Sequence, residues 1–455
     1  MVVLQKMLPD LLQSLLQQWP DEFSDAVSLE IGLSGGLDSM VLLDLMARAR
    51  MHRVFSLSAV HVHHGLSPNA GRWQQHCEAV CGQLNITLRV AQVVCGSSGM
   101  GLEAEARSKR YQVYSETAAQ VIVLAHHQDD QAETVLLQLL RGGGVRALAA
   151  MPPIRSWQGK YLWRPFLSWS RSMLEAYAAW RGLSWVDDES NTDTYWRRNW
   201  LRHEIMPLIA VALPDYRSHL VRSAQLMAEA TDILQEIRLH DLTHCQESDQ
   251  VDLSRFLALS PARQRQLLVC WIEQSGGSVL TPDAIEVFRQ QVLYAGHDKN
   301  PVLALGDDVV MVRYRQQIGL YRSPATSPSP LSLYWPCPGE IVAPFWPGKL
   351  RFVQRAGGIK ESLLQPAFSL FPRRGGERLL TSVGHKSVKT LFQEHGVPPI
   401  LRRQWPLLMT HGGRLIAVPG IAVAEDCQAK QHRGWWPEWC PEKPSIRRQM
   451  AAASY

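Results

Sequence analysis

The segment Ser34-Gly35-Gly36-Leu37-Asp38-Ser39 lies between an apolar run at 26–31 and a helical-looking run at 40–48. Adjacent glycines let the backbone approach a ligand closely. Successive N–H groups at a helix start attract an anion. A strand, a glycine-rich loop and a helix in this order predict a parallel sheet with the loop at a strand's carboxyl end. No Gly-Lys-Ser/Thr follows the glycines, so this is not a Walker A loop. The third glycine of the dinucleotide fingerprint is missing too. Read alone, the loop fits several triphosphate-using ligases or an ordinary turn.

The surrounding pattern extends the prediction. Strand-like runs at 26–31, 54–62, 87–94 and 121–124 alternate with helix-like runs at 40–48, 70–83, 102–119 and 130–141. This alternation predicts an α/β domain over 1–215, a Rossmann-like parallel sheet with helices on both faces. Leu8, Leu11, Leu12, Leu15 and Leu16 add an amphipathic N-terminal helix. Residues 216–240 read as one long linker helix. Residues 241–321 read as a mainly helical domain, with helices at 261–274 and 282–293 and a strand at 309–314. Residues 322–365 are rich in Pro and Ser and predict a linker with an edge strand. Residues 366–455 predict a small α/β or α+β domain.

Charge is uneven along the chain. From 371 to 455 there are thirteen Lys/Arg and six Asp/Glu, a balance of +7, which leaves −2 for the remainder of a formal +5. A basic C-terminal region suits a polyanionic partner, although an ordinary basic surface has the same composition. The eight cysteines form no C-x-x-C pair, so they read as free thiols in a reducing cytoplasm. The chain opens with no secretory signal pattern, and no apolar run is long enough to span a membrane.

The second informative stretch is 124–134, Leu-Ala-His-His-Gln-Asp-Asp-Gln-Ala-Glu-Thr. It ends the fourth strand-like run and enters a helix. Asp130 and Glu133 are three apart and share one helix face. They fit Mg2+ or a substrate ammonium, or simply an acidic helix start in water. His61, His63, His64, His126 and His127 fall in two loops with no cysteine beside them, which argues against zinc. Trp196, Trp200, Trp435, Trp436 and Trp439 read as packing residues before base-stacking platforms. Gly142-Gly143-Gly144 reads as a helix C-cap and loop.

SGGxDS at 34–39 resembles the loop of the N-type ATP pyrophosphatases, which release pyrophosphate and leave AMP on the substrate. Paired with AHHxDDQxET, it resembles the tRNA(Ile)-lysidine synthetase family. Further segments agree with that family. They are His61-Val62-His63-His64-Gly65-Leu66, the 103–111 stretch with Arg107, Arg110 and Tyr111, and a 188–207 stretch. That last stretch contains Ser190, Asn191, Asp193, Tyr195, Arg198, Asn199 and Arg202. Residues 373–378 and 389–399 are similar to the family's domain for the tRNA acceptor stem. The resemblance is weakest from 241 to 365.

The resemblance implies a two-step ligase that uses ATP and Mg2+. It joins free L-lysine to C2 of the wobble cytidine of the CAU-anticodon isoleucine tRNA. Ser34, Gly35, Gly36, Leu37, Asp38, Ser39 and His61 would bind ATP, with Asp38 on the metal. Asp130 and Glu133 would hold the lysine amine, and Arg110 would serve the phosphoryl transfer. Arg198, Asn199 and Arg202 would contact tRNA near the site. Arg373, Arg374, Lys386, Lys389, Arg402 and Arg403 would contact tRNA in the basic domain. A homodimer is compatible with the sequence and not required by it.

Other pyrophosphatase-loop enzymes share the loop. A tRNA thiolase calls for a catalytic cysteine pair, and an amidotransferase for a glutaminase domain with its own nucleophilic cysteine. Neither is evident. A non-catalytic RNA-binding relative predicts loss of Asp38, Asp130 or Glu133, and all three are present.

Overall fold

The computed structural model describes residues 10–23, 26–65, 67–94, 96, 102–187, 197–275, 280–296, 299–306, 308–323, 328–335, 340–342, 346–429 and 434–442, with backbone alone for Leu102 and Glu103. Leu66, Ser190, Asn191, Asp193, Tyr195 and Trp196 lie outside the described residues. The chain divides into two compact units, near residues 235 and 236.

The first unit is built on a six-stranded sheet. In chain order its strands are β1 (Ser28–Gly32), β2 (Ser56–His63), β3 (Thr87–Gln92), β4 (Val121–Val123), β5 (Ile154–Trp157) and β6 (Lys160–Trp163). In space they run β3-β2-β1-β4-β6-β5. All neighbours are parallel except the β5–β6 hairpin. The central strands are short apolar runs because both faces are covered. Leu29, Ile31, Val121 and Val123 pack on one side with helices Leu11–Gln17 and Leu37–Ala49. Ile122 points the other way, with Val60, Leu124 and Leu162, onto Tyr111 and Tyr114 of helix Leu102–Ser115. The period-two alternation of a strand thus sorts neighbouring residues into two cores.

The long helix Tyr216–Cys245 runs across the division between units. The second unit begins with the sheet β7 (Gln246–Glu247), β8 (Gln250–Asp252), β9 (Val302–Ala304), β10 (Val309–Tyr314) and β11 (Gln317–Arg322). Its order is β7-β8-β11-β10-β9. Helices Pro261–Gln274 and Pro282–Tyr294 share a core with it through Leu267, Leu268, Phe288, Met311 and Ile318. The sequence marks both helices and one strand of this sheet; β7, β8 and β9 are two or three residues long and carry no readable period.

The stretch 322–365 differs from the expected linker. It contains β12 (Leu331–Tyr334), β13 (Glu340–Val342) and β14 (Gly348–Arg355). β12 pairs with β15 (Ala367–Phe371), and β14 pairs along eight residues with the strand Gly434–Pro441. Trp335, Trp346 and Leu350 enter the same core as Phe368, Phe392, Leu408 and Trp439. Among the described residues, Pro328 and Pro330 precede β12 and Pro347 precedes β14. Of the tryptophans, Trp439 is buried, Trp435 and Trp436 are half-buried on that core, and Trp200 is exposed. No helix among the described residues is long and apolar enough to cross a membrane.

Candidate active site

Strand order reverses at β1. Its chain successor β2 lies on one side and β4 on the other, with Ile31 opposite Ala59 and Val123. Ligands on open α/β sheets bind at such a switch point, beyond the carboxyl ends of the strands. Both sequence motifs lie there, because 34–39 follows β1 and 124–134 follows β4.

The loop is held by its own serines. Ser39 Oγ accepts from the Gly35 N–H at 3.1 Å and donates to the Gly36 carbonyl at 2.9 Å. Ser34 Oγ is 3.1 Å from Ser39 Oγ and accepts from the Gly36 N–H. Gly35 has φ +89°, and a Cβ there would lie 3.0 Å from Val186 Cγ2 and 3.1 Å from Cys77 Sγ. Only glycine fits without strain. Helix Leu37–Ala49 starts at Gly36 with no side-chain cap, so its first N–H groups are available to an anion. His61 is buried beside the loop, and its Nδ1 donates to the Leu33 carbonyl at 2.9 Å. Burial pushes its pKa down, which leaves the other ring nitrogen as an acceptor.

His127 ties the two motifs together. It is 2% exposed, and its ring lies 3.6 Å from each of Asp38, Asp129 and Asp130. Burial works to discharge the ring. Hydrogen bonds donated by the ring to Asp129 and Asp38, with the charge of Asp130, outweigh it and raise the pKa to about 10. His127 Nδ1 also lies 3.2 Å from the Asp129 N–H, in capping geometry at the start of helix Gln128–Leu140. A protonated Nδ1 cannot accept that bond, so the two arrangements exclude each other. Three carboxylates around one ring favour the imidazolium. Asp130 Oδ2 takes the His127 N–H at 3.0 Å and completes the cap.

Asp130 and Glu133 share a helix face, as the spacing predicts. Their cationic partners come from residues 65 to 72 positions away. Arg198 Nε donates to Glu133 Oε2 at 2.7 Å and Arg198 Nη2 to Asp130 Oδ1 at 3.1 Å. Arg202 Nε donates to Glu133 Oε1 at 2.6 Å, and Arg202 Nη2 to Asp130 Oδ1 at 3.3 Å. Burial would raise the Asp130 pKa, but His127 and Arg198 hold it well below the carboxylate range. Arg198 and Arg202, expected to meet tRNA, are engaged with the two acids here. Asn199 is half-buried beside them in sequence.

Arg110 is exposed on its helix. Arg107, three residues earlier, is half-buried and lines a cavity with the buried Arg164. The sequence by itself singles out neither Arg107, Arg164 nor His127 for a role. The EAEAR stretch and the arginine after β6 carry the signal for the first two. In the second unit Arg374, Lys389 and Arg403 are exposed. Lys386 pairs with Glu394 at 3.0 Å, and Arg373 lies 3.6 Å from Glu377. Arg402 differs from its expected surface position: it is buried, donating to the Val397 carbonyl at 2.9 Å and Tyr314 Oη at 3.0 Å. Its guanidinium is consumed inside the protein.

No group of three or more His, Cys, Asp or Glu among the described residues could hold a metal ion by itself. Mg2+ in nucleotide sites needs only one or two carboxylates, with substrate phosphates completing its shell. Asp38 meets that requirement, since its Oδ1 is buried with no hydrogen-bond partner among the described residues.

Comparison with known proteins agrees with this geometry. The PP-loop domain family matches residues 7–209. The TilS substrate binding domain matches 252–318, and the TilS substrate C-terminal domain matches 368–439. The tRNA(Ile)-lysidine synthase of Chromobacterium violaceum is 48% identical over 435 residues, covering 95% of this chain and 99% of that one. That of Shigella flexneri is 37% identical over 413 residues, covering 89% and 94%. That of Alkalilimnicola ehrlichii is 38% identical over 413 residues, covering 88% and 91%. Matched over 88–95% of its length at 37–48% identity, the chain belongs to the tRNA(Ile)-lysidine synthase family.

Proposed function

We propose that this chain forms lysidine on the isoleucine tRNA with a CAU anticodon, consuming ATP and free L-lysine. In the first step the C2 oxygen of the wobble cytidine bonds to the α-phosphorus of ATP and pyrophosphate leaves. In the second, the lysine ε-amine bonds to C2 and loses a proton. The C2–O bond breaks, and AMP departs with the oxygen. The observation that carries this reading is the meeting of Asp38 of the loop 34–39 with Asp130 through His127, with Glu133 tied to Asp130 by Arg198 and Arg202.

Ser34, Gly35, Gly36, Leu37 and Ser39 form the cradle for the phosphates, and His61 lies beside it as an acceptor. Asp38 would hold Mg2+, which supplies neutralising charge to the phosphoryl oxygens. His127 keeps Asp38 and Asp130 in register. Asp130 and Glu133 receive the lysine ammonium, which exchanges there with an arginine guanidinium. Held strongly ionised, Asp130 suits charge and position better than proton abstraction. Arg374, Lys389 and Arg403 are the exposed cations suited to tRNA phosphates, which supply affinity and not base identity.

Labelled pyrophosphate exchange into ATP tests the first step. Exchange should require the CAU tRNA and proceed without lysine. Exchange that ignores the tRNA, or that needs lysine first, would rule out an adenylylated tRNA.

A further inference from the structure

Arg217 is the second residue of the long helix Tyr216–Cys245, in the part that belongs to the first unit. It lies in neither sequence motif and has no part in the two steps above. Its Nε is 2.5 Å from Asp129 Oδ1, a close ion pair. The other oxygen, Asp129 Oδ2, accepts from the Arg171 N–H at 3.2 Å and lies 3.6 Å from His127 Nδ1. The far nitrogen of that ring, Nε2, lies 3.6 Å from Asp38 Oδ2 and from Asp130 Oδ2. Arg217, Asp129, His127 and Asp38 therefore form one line of contacts. It ends on the carboxylate that follows the glycines of the phosphate loop.

Each link restrains the next. The terminal torsion of an aspartate is soft, so its partners decide where its oxygens point. Arg217 holds one Asp129 oxygen and thereby turns the other toward His127 and the Arg171 N–H. His127 is 2% exposed, and a buried ring held at Nδ1 is held at Nε2 as well. Asp38 Oδ1 has no hydrogen-bond partner among the described residues, so the ring beside Oδ2 restrains that carboxylate. Arg217 is itself placed by its neighbour. Its guanidinium lies 4.7 Å over the Tyr216 ring, and Tyr216 is buried in one core with Ala132, Leu201 and Met206. Ala132 is on helix Gln128–Leu140, the helix that carries Asp129. The cation is thus fixed against the element whose start it grips. A partly exposed ion pair contributes little to stability, so the value of this one lies in its geometry.

We propose that Arg217 is a positioning residue for the adenylylation step: through Asp129 it fixes the His127 ring, and through that ring it fixes Asp38 beside the phosphate loop. This rests on the lysidine-forming reading above and adds to its first step a residue from outside both motifs. The loop's own N–H groups still receive the triphosphate without Arg217. Its loss should therefore fall on the rate and not on ATP binding.

The test is pyrophosphate exchange into ATP, driven by the CAU tRNA, on the whole protein. Arg217→Gln should lower kcat by about 10–100-fold, with the KM of ATP and of tRNA each within about twofold of wild type. Arg217→Lys restores a cation and should recover most of that loss. Asp129→Asn should lower kcat alike, and Arg217→Gln added to it should cost nothing further. Histidine-ring NMR gives a readout free of turnover: the signal that His127→Gln removes should shift in Arg217→Gln. Wild-type kcat in folded Arg217→Gln overturns the proposal. Losses that multiply in the double variant also overturn it, because Arg217 would then not act through Asp129. A raised tRNA KM with kcat intact overturns it in favour of a contact to tRNA phosphate. Should Arg217→Gln fail to fold, Asp129→Asn carries the comparison, and wild-type kcat there overturns the proposal equally. Absence of tRNA-dependent exchange with the wild type would instead overturn the functional reading itself.

Discussion

Arg202 grips Glu133 with two donors, Nε to Oε1 at 2.6 Å and Nη2 to Oε2 at 3.0 Å. Glu133 is fully buried, so this pair, together with Arg198, supplies the hydrogen bonds that water cannot reach to give. Removing one partner strands the other. Arg202→Met should lower the unfolding free energy by about 1.5–3 kcal/mol, the usual value of hydrogen bonds to a charged group. Urea titration followed by tryptophan fluorescence measures it. A change within about 0.5 kcal/mol would mean that Arg198 alone suffices.

His127 makes stability depend on alkaline pH. Its folded pKa is raised, from an ordinary 6.5 to about 10. Its contribution is therefore fully present below about pH 6.5 and is lost as pH rises toward 10, by up to about 1.4 kcal/mol per pH unit. His127→Gln should flatten that slope. Asp129 works from the acid side: burial opposes ionisation, but His127, the Arg171 N–H and Arg217 lower its pKa to about 2. Its contribution is present above its ordinary 3.8 and is lost as pH falls toward 2. Denaturant midpoints across the acid and alkaline ranges would expose both limbs. An unaltered alkaline limb in His127→Gln would assign it to another group.

Gly35→Ala tests the phosphate loop. The positive φ alone costs about 1–2 kcal/mol for an L residue. The added methyl would also press on Val186 and Cys77. The expected result is an ATP KM raised by about tenfold or more, with a stability loss of at least about 1–2 kcal/mol. Wild-type ATP affinity in this variant would remove the loop from the ATP site.

These two local motifs are legible because each is a run of neighbours. Gly35 needs only its own φ, and Asp130 and Glu133 need only helical spacing. The arginine clamp is not legible, since a sequence does not show which of many arginines returns to a given carboxylate. Arg198 and Arg202 are visible as motif residues, but the partner expected for them is the tRNA. The strands at 331–334 and 348–355 are hidden for another reason. Prolines flank them and look like linker punctuation until the partner strands Ala367–Phe371 and Gly434–Pro441 lie beside them.

The basic surface of the second unit can be sorted by exposure. Replacing Arg374, Lys389 and Arg403 together with Gln should weaken tRNA binding. It should also lessen the salt dependence of log K by up to about one unit for each phosphate left without its cation. Arg402→Gln should act differently, lowering thermal stability because it removes bonds to Val397 and Tyr314. Equal tRNA effects from both variants, with no stability loss in the second, would contradict this division.

The most direct measurement is nucleoside mass analysis of the CAU isoleucine tRNA after incubation with ATP, lysine and the protein. The account predicts that the wobble cytidine is replaced by a nucleoside heavier by lysine minus one water, and that Asp38→Asn and Asp130→Asn each abolish it. An unmodified cytidine after full ATP turnover by the wild type, or normal product from folded Asp130→Asn, would contradict it.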